Sequence, residues 1–388
     1  MRKGMQMINR ERLAETFMDL VKIDSVSKEE ARVSEVIQEI MAGFGADIII
    51  DKAGEIIGGS TGNLIARIKG NMDVAPLMLN AHMDTVEPGR GIVPELNNGV
   101  FTSMGNTILG ADDKSAIAII IEALQVIKEN NLVCGPLEVV FTVCEEIGLM
   151  GAKHLDFSHI SAEYGFALDA TDTHGVVTRA PSANRLEFFV HGKEAHAGAA
   201  PEKGINAIKI ASQAIADLEL GRIDDETTCN IGVIQGGLAT NIVPNLVKIK
   251  GEVRSHNDEK LETVTQTIVN AFEKAVAENT KTSKGGEHPS VDSHVTYDFT
   301  RTHIAEDHPV VTLAAKAARN LGWEMVCKTT GGGADANVFF QQGIVTGVLG
   351  TGMQNMHTIN ESVRLDDMLE AVEQLLEILR LHARGEVS

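Results

Sequence analysis

The chain has 388 residues, enough for two or three domains with a large buried core, so a single small module is excluded. Its 34 basic and 54 acidic residues give a formal charge of −20, which argues against a nucleic-acid partner because phosphates would be repelled by most of the surface. Apolar residues at 43% and charged residues at 23% are typical of a globular chain and exclude extended disorder.

The location of the protein is predicted from what the sequence lacks. Four scattered cysteines without a CxxC pair argue against a disulfide scaffold and a thiolate metal site. The first residues lack the apolar stretch of a signal peptide. The most apolar run, Ala116 to Ile121, is far shorter than the roughly 18 residues that cross a bilayer. We therefore expect a cytoplasmic protein without a membrane partner.

The first part of the chain alternates between helical periodicity and strand-sized apolar runs. This alternation predicts an α/β layer with a mostly parallel sheet. Helices are expected at 30–44 and 114–128, and strands at 48–50, 64–68, 77–79, 137–143 and 164–168.

After residue 180 the pattern changes. Leu186, Phe188 and Val190 alternate with mostly polar residues, which predicts an antiparallel sheet with one open face. The β-α-β-β-α-β order that follows is that of a ferredoxin-like fold. Its further strands are expected near 229–234 and 247–253, and its helices at 207–218 and 260–278.

Helix and strand alternate again after His308, with helices at 310–321 and 366–381 and a strand at 345–349. The antiparallel segment therefore interrupts the α/β layer. We expect one discontinuous domain of residues 1–179 and 300–388, with residues 180–299 inserted as a second domain.

Polar side chains follow the strand expected at 77–79. His82 and Asp84 stand two positions apart, so in an extended segment their side chains point the same way and are able to meet one ion. Strand ends are also where α/β sheets bind ligands. The alternative interpretation is a strand-end histidine beside a solvated aspartate.

Two pairs of adjacent acids occur at comparable positions. Asp112 and Asp113 begin the helix expected at 114–128, where an acid is also explained as a helix cap. Glu145 and Glu146 end a very apolar strand, and two neighbouring carboxylates there need a cation or a raised pKa. The residues alone do not decide which member of each pair binds a metal.

Asp169 ends another apolar strand, and His357 follows the strand at 345–349. An α/β layer brings such ends to one edge of the sheet, so these groups are expected to converge. Oxygen-rich ligands with one or two imidazoles favour Zn²⁺, with Co²⁺ or Mn²⁺ as alternatives. The adjacent glutamates suggest that one binds metal while the other takes a proton from the attacking water.

These residues, in this order, resemble the M20 family of di-zinc peptidases, most closely its peptidase T branch of tripeptide aminopeptidases. The resemblance covers essentially the whole chain. It implies a three-layer zinc-peptidase domain with an inserted ferredoxin-like dimerisation or lid domain, a homodimer, and a short peptide as substrate. The motifs that carry it are His82-Met-Asp84, Gly110-Ala-Asp112-Asp113-Lys114, Glu145-Glu146, Asp169 and His357.

The resemblance also assigns roles. It implies that one ion is held by His82, Asp112 and Asp169, and that the second is held by Asp112, Glu146 and His357, with Asp112 bridging. Asp84 would support His82. Glu145 would be the general base that later protonates the leaving amine.

In the inserted segment the resemblance implies that His196 polarises the scissile carbonyl, that Arg254 binds a terminal carboxylate, and that Asn241 contacts substrate. Guanidinium groups bind carboxylates well because two parallel N–H donors of the group match the two carboxylate oxygens. The alternatives are an exposed loop histidine, an arginine on a solvated strand face and an asparagine in a turn.

The segment Gly331 to Ala336 reads GGGADA and fits a G-x-G-x-x-A dinucleotide pattern. However, Asn355 stands where a ribose-binding acid is expected about 20 residues later. By the resemblance, Gly332, Gly333 and Asp335 instead line the substrate cleft.

The expected function is removal of the N-terminal residue from tripeptides by a water that two zinc ions activate. The alternative within the family is a carboxypeptidase, a dipeptidase or an N-acyl amino acid amidohydrolase with the same metal site. Outside the family, an oxidoreductase would require a nicotinamide, and a non-catalytic metal-binding module would release no product.

Overall fold

The computed structural model describes residues 7–281 and 288–386. Within this part of the chain, the residues cluster into two compact units. The first comprises the described residues of Met1–Arg179, Thr302–Thr330 and Ala334–Ser388, and the second those of Ala180–Arg301 and Gly331–Gly333.

Helices occur in both units. They are α1 (Arg10–Val21), α2 (Ala31–Gly43), α3 (Ala53–Ile57), α4 (Ala111–Asn130), α5 (Met150–Lys153), α6 (Ala207–Ala216), α7 (Asp258–Thr280), α8 (Pro309–Asn320), α9 (Asp335–Gln341) and α10 (Leu365–Ala383).

Strands make up three sheets in the described residues. They are β1 (Asp47–Ile50), β2 (Leu64–Ile68), β3 (Leu77–His82), β4 (Pro94–Asn97), β5 (Val100–Ser103), β6 (Leu137–Thr142), β7 (Tyr164–Ala170), β8 (Gly175–Ala180), β9 (Ser182–His191), β10 (Gly221–Arg222), β11 (Thr227–Gly236), β12 (Leu246–Ser255), β13 (Ser290–Phe299), β14 (Thr302–His303), β15 (Val326–Thr329), β16 (Val345–Gly350) and β17 (Ser362–Arg364).

The large sheet of the first unit has the strand order β1-β2-β6-β3-β7-β16-β8-β14, with β15 paired to β8. Its centre is parallel, because β6, β3, β7 and β16 pair in that sense, whereas β1, β2 and β8 add antiparallel neighbours. This is the mostly parallel α/β layer that the sequence predicts. A separate small sheet is formed by β17, β5 and β4.

Helices cover both faces of the large sheet. On one face, α1, α4, α8 and α10 bury the main apolar core, which includes Phe17, Phe101 and Phe141. The other face carries α9, whose Ala336 packs with Ala167 and Val348. The unit is therefore built of three layers, helix on sheet on helix, as the resemblance implies.

The second unit is a sheet of order β10-β11-β12-β9-β13, in which every pair of neighbours is antiparallel. Helices α6 and α7 bury one face of the sheet, and the rings of Phe188 and Phe272 stack there with centroids 4.1 Å apart. The order places β9 between β12 and β13, which is the ferredoxin-like topology.

The observed division of the chain differs from the expected one at Gly331–Gly333. These residues cluster with the second unit, whereas residues 300–388 were expected in the first. A Cβ on Gly333 would lie 2.4 Å from Cζ of Phe299, so this backbone packs directly against the ring at the end of β13. Asp335, two residues later, belongs to the first unit.

Several elements were not predicted. Helix α1 begins after Asn9, whose side chain accepts hydrogen bonds from the backbone N–H groups of Glu11 and Arg12, and it buries Leu13 and Phe17. Strand β13 was not located, although Val291, Val295, Tyr297 and Phe299 alternate with polar residues along it; it is an edge strand on which Val295 and Tyr297 are exposed. None of the helices in residues 7–281 and 288–386 combines the length and hydrophobicity that crossing a membrane requires.

Candidate metal centre

Strand alternation decides where the first two candidate ligands point. On β3, Leu79 and Ala81 enter the main core, so His82 lies on the opposite face. On β7, Leu168 enters the same core, which places Asp169 on the face of His82. Two strand ends therefore deliver an imidazole and a carboxylate to one edge of the sheet, as expected.

Asp112 stands in an irregular turn before the regular part of α4. Gly110 has φ 74°, and Asp112 and Asp113 have non-helical backbone angles. The Asp112 carboxylate lies between two imidazoles: Oδ1 is 3.0 Å from Nε2 of His82 and Oδ2 is 3.2 Å from Nε2 of His357. One carboxylate that faces two imidazoles through different oxygens has the arrangement of a bridging ligand.

Glu146 completes one side of this cluster. Its Oε1 is 3.0 Å from Nε2 of His357. Ligand atoms of His82, Asp112 and Glu146 lie within 4.8 Å of one another, and the same holds for Asp112, Asp113 and Asp169. The structure therefore brings all five predicted metal ligands together, and it adds Asp113.

The tautomer of His82 is set by Asp84. Nδ1 of His82 lies 2.9 Å from the backbone oxygen of Asp84, so Nδ1–H donates there and Nε2 remains available as a ligand atom. The Asp84 carboxylate accepts hydrogen bonds from the backbone N–H groups of Glu145 and Glu146 at 2.9 and 3.2 Å and from the Ser27 hydroxyl at 2.6 Å. Asp84 thus contacts His82 and fixes the turn that carries the glutamate pair.

The carboxyls around this centre are crowded and buried. Burial raises the pKa of Glu145, Asp113 and Asp169 well above the usual range, and it also raises the pKa of Glu146. Burial opposes ionisation of Asp112, but hydrogen bonds from His357 and His82 hold the pKa of that carboxyl below its usual range.

The two imidazoles respond to the same crowding. Hydrogen bonds to Asp112 and Glu146 raise the pKa of His357 to about 10. Burial opposes protonation of His82, but its bonds to Asp112 and Asp84 raise the pKa of this ring above its usual value. The raised pKa values of both histidines show that positive charge stabilises this cluster of acids. A divalent cation would supply such charge.

An orphaned oxygen supports the same conclusion. Oδ2 of Asp113 accepts a hydrogen bond from the His82 backbone at 3.1 Å, whereas Oδ1 is buried without a hydrogen-bond partner. The donor set of imidazole nitrogens and carboxylate oxygens, without thiolate, fits catalytic zinc and related ions.

Asp335 lies close to the centre, but its side chain is buried. It accepts a short hydrogen bond from the Thr142 hydroxyl at the end of β6, and only 2% of the residue is exposed. Burial raises the pKa of Asp335 to about 6. Thr142 was not among the sequence-predicted residues, although it pairs directly with His82 across β6 and β3.

Glu361 is the main functional candidate that sequence reasoning missed. Its buried carboxylate accepts hydrogen bonds from three backbone N–H groups, those of Leu109, Gly110 and Asp112. Its position four residues after His357 could have indicated it. The sequence reasoning considered acids and histidines near the ends of expected strands, and Glu361 lies in a loop instead.

In the second unit, His196 and Asn241 lie on adjacent exposed loops. The backbone N–H of Ala197 donates to the backbone oxygen of Asn241 at 2.9 Å, and His196 forms an isolated β-bridge with Ile242. Nδ1 of His196 accepts from two backbone N–H groups at 3.2 and 3.1 Å, so the neutral ring carries its proton on Nε2. His196 is therefore a hydrogen-bond donor at its exposed nitrogen.

Arg254 lies on β12, half-buried. Its Nη2 donates to Glu252 at 3.0 Å and its Nη1 to the backbone oxygen of Gly331 at 3.3 Å. The guanidinium lies 5.9 Å from the ring centroid of Phe299, and its Nε is buried without a hydrogen-bond partner. Gly332 and Gly333 follow in the same turn, and the latter packs on Phe299.

Comparison with known proteins gives the class to which this centre belongs. Residues 182–280 match the Peptidase dimerisation domain and residues 63–185 match Peptidase family M28. The chain is 41% identical to the uncharacterized protein YqjE of Bacillus subtilis over 97% of this chain and 100% of that protein.

Two solved structures are also similar over 97% of this chain and 100% of their own. Aminopeptidase PepT of Bacillus cereus is 40% identical with a TM-score of 0.85, and a tripeptidase of Staphylococcus aureus is 36% identical with a TM-score of 0.90. Fold, site and these similarities define a peptidase. The chain belongs to the M20 peptidase family, near its peptidase T branch.

Proposed function

We propose that the protein is a di-zinc aminopeptidase that removes the N-terminal residue from short peptides, chiefly tripeptides. The observation that carries the proposal is the Asp112 carboxylate, which lies between the Nε2 atoms of His82 and His357. The similarity to an aminopeptidase and to a tripeptidase supports this choice over a carboxypeptidase, a dipeptidase or an N-acyl amino acid amidohydrolase.

The proposed ligand sets are those that the family resemblance implies, and the contacts of Asp112 with His82 and His357 and of His357 with Glu146 support them. His82, Asp112 and Asp169 would hold one ion, and Asp112, Glu146 and His357 the other. When bound, two divalent ions supply Lewis acidity, which lowers the pKa of the attacking water and polarises the peptide carbonyl.

Glu145 is the proposed general base. Glu145 is buried, with 9% of the residue exposed, and its backbone N–H donates to the Asp84 carboxylate at 2.9 Å, so the turn that carries its side chain is held in place. Glu145 takes a proton from water as the oxygen attacks the carbonyl carbon, and it returns this proton to the leaving amine when the C–N bond breaks.

Two groups of the second unit are proposed to recognise substrate. His196 would donate its Nε2–H to the scissile carbonyl oxygen, stabilising the negative charge that develops there. Arg254 would bind the terminal carboxylate through its guanidinium group, since 29% of its side chain is exposed. Asn241, Gly332, Gly333 and Asp335 remain proposed contacts of the substrate cleft.

We also propose a homodimer formed through the inserted domain of residues 180–299, with residues 1–179 and 300–388 as the metal-binding domain. Exposed apolar side chains concentrate at the end of β11 and in the loop before β12, where Leu238 is 82% exposed. The match of 182–280 to the dimerisation domain supports the same surface. Light scattering should give twice the chain mass of 41.6 kDa.

The central test is a peptide panel with zinc, in which mass spectrometry identifies the bond that breaks. We expect a tripeptide to give its first amino acid and a dipeptide, and N-acetylation to block this cleavage. Release of the C-terminal residue, or cleavage of N-acyl amino acids alone, would replace the aminopeptidase assignment by one of the family alternatives.

The general base is tested by Glu145→Gln. Loss of proton transfer should lower turnover by about 10²- to 10⁴-fold while the metal content is unchanged, since the variant keeps all proposed ligands. Glu39→Gln, on the exposed face of α2, is the matched control and should retain full activity. Wild-type turnover in Glu145→Gln would refute the assigned role.

A further inference from the structure

Glu361 is a buried carboxylate outside the proposed metal ligands, and 1% of it is exposed. Oε2 accepts the backbone N–H groups of Leu109 and Gly110 at 2.7 and 2.8 Å, and Oε1 accepts that of Asp112 at 2.9 Å. Hydrogen bonds to an ionised carboxylate are among the strongest in proteins, and here three converge on one side chain.

The three N–H groups are available because the backbone is irregular. Gly110 adopts a left-handed conformation, and Asp112 and Asp113 depart from helical angles before α4 becomes regular. Successive N–H groups in such a turn point to one side and form an anion-binding concavity. The carboxylate of Glu361 fills this concavity and thereby holds the backbone of Asp112.

Glu361 stands on the loop that presents His357. Two backbone hydrogen bonds between Gln354 and Ser362, at 2.8 and 3.0 Å, close this loop at its base. Within the loop, the Thr358 hydroxyl donates to the backbone oxygen of Asn355 at 2.8 Å, and the Glu361 N–H donates to the backbone oxygen of Thr358. The loop is therefore internally bonded, and its buried carboxylate attaches it to the Asp112 turn.

His357 depends on this attachment more than His82 does. The His357 side chain is 55% exposed and its φ is 62°, whereas His82 is 2% exposed at the end of a central strand. Its proposed partners are Asp112, held by Glu361 through the backbone, and Glu146.

We propose that Glu361 is a positioning residue that fixes Asp112 and His357 relative to each other. It thereby completes the metal subsite of Asp112, Glu146 and His357. The inference rests on the proposed two-metal function and deepens it. Residues that orient metal ligands typically change metal affinity or activity by about 10- to 100-fold when they are replaced.

The substitution Glu361→Gln tests this role while preserving shape. An amide has one acceptor oxygen, so in either orientation at least one of the three backbone N–H groups faces an NH₂ group instead. Glu361→Asp is the second variant, because it keeps the charge but shortens the reach. Glu138→Gln is the matched control.

Glu138 is chosen because it makes the same kind of contact elsewhere. It is buried and accepts the backbone N–H groups of Ser161 and Ala162 at 2.9 Å each, with the Ser161 hydroxyl at 2.6 Å. It contacts no proposed ligand in these bonds. A purely structural effect of losing a buried carboxylate should therefore appear equally in Glu138→Gln.

The measurement is zinc binding to chelator-stripped protein by competition with a chromophoric chelator, together with the thermal midpoint of each metal-free variant. We expect Glu361→Gln to bind one zinc about 10- to 100-fold more weakly than the wild type and the other with a smaller loss, because Asp112 is shared but only one subsite also contains His357; Glu361→Asp should be intermediate. Glu138→Gln should lower the thermal midpoint but keep both affinities.

Three outcomes would overturn the inference. If Glu361→Gln and Glu361→Asp both bind two ions with wild-type affinity, or if Glu138→Gln weakens zinc to the same extent, the role of Glu361 is structural only. If the wild type itself binds no zinc, the proposed function fails, and the inference fails with it. In the first two outcomes the wild type binds zinc normally, so failure of the inference alone is distinguishable from failure of the proposed function. Should Glu361→Gln not fold, Glu361→Asp decides by the same measurement.

Discussion

The two units differ in how they present their candidate functional groups. In the first unit, His82 and Asp112 are buried and bonded to one another. In the second, His196 is exposed on a loop and Arg254 is half-buried on an open sheet face. Groups that are fixed before substrate arrives suit electrostatic catalysis, whereas accessible groups suit substrate recognition. Substitutions of candidate groups in the first unit should therefore change the metal content. Those in the second unit should change only the kinetic constants.

Replacing the two histidines of the first unit should give the largest effects. His82→Ala and His357→Ala each remove a proposed ligand, and losing the Lewis acidity of one ion should lower turnover by about 10³-fold. Elemental analysis should show fewer than two zinc ions per chain in both. Two ions retained in either variant would contradict that ligand assignment.

The two variants should differ in stability. His82 is buried at the end of a central strand, so His82→Ala should destabilise the fold by about 1–3 kcal/mol because it leaves polar groups unpaired. His357 is 55% exposed, so water is able to replace part of its bonds to Asp112 and Glu146, and its loss should lower the free energy of unfolding by less than the loss of His82. Urea titration of the metal-free proteins measures this difference, and equal destabilisation of the two variants would contradict the prediction.

His196→Ala sharpens the contrast between the units. Since His196 is proposed to stabilise charge on the carbonyl oxygen, its loss should lower kcat by about 10²- to 10³-fold. Zinc content should stay at the wild-type value. Unaffected kinetics would return His196 to the alternative of an exposed loop histidine, and a loss of zinc would place it with the ligands instead.

Arg254→Lys should have a smaller effect, mainly on KM. Lysine keeps the charge but loses the fork that matches a carboxylate, which should raise KM by about 10-fold. A tripeptide with a C-terminal amide is the control, because it lacks the carboxylate and should respond weakly to the substitution. Equal responses of the two peptides would exclude carboxylate recognition by Arg254.

The smallest expected effect lies away from both sets of groups, at His382. Its Nε2–H donates to the Ala75 backbone oxygen at 2.8 Å and its Nδ1 accepts from the Tyr164 hydroxyl at 3.1 Å. Burial lowers the pKa of His382 from its usual 6.5. The unfolded chain therefore binds a proton before the folded protein does, and stability should fall as pH decreases from 6.5.

The prediction is tested by the free energy of unfolding between pH 5 and pH 8. The wild type should lose more stability than His382→Gln on acidification, since only the wild type gains this proton on unfolding. His303→Gln, at an exposed position, is the control and should follow the wild type. Parallel curves for wild type and His382→Gln would contradict the expected linkage.

Much of the metal centre follows from local sequence rules. His82 and Asp169 end apolar strands, and parallel strands bring such ends to one edge. The structure places both residues there, on the face opposite the main core. The mostly parallel sheet and the ferredoxin-like order were predictable for the same reason, because each rests on periodicity within a few residues.

The remaining features depend on irregular backbone and distant contacts. Which of Asp112 and Asp113 meets both imidazoles depends on a turn with non-helical angles, and His357 sits at a positive φ. Glu361 acts on residues about 250 positions away in the chain. No periodic pattern records such contacts, so only the family resemblance supplied the ligand choice, and it did not supply Glu361.

The most direct test of the account is the zinc stoichiometry of the wild-type protein. Chelator-stripped protein is reconstituted with zinc, separated from free metal by gel filtration and measured by elemental analysis against protein concentration. The cluster around Asp112 predicts two ions per chain, with hydrolysis of a tripeptide that requires both. A ratio of one or less at full activity would contradict a two-metal centre.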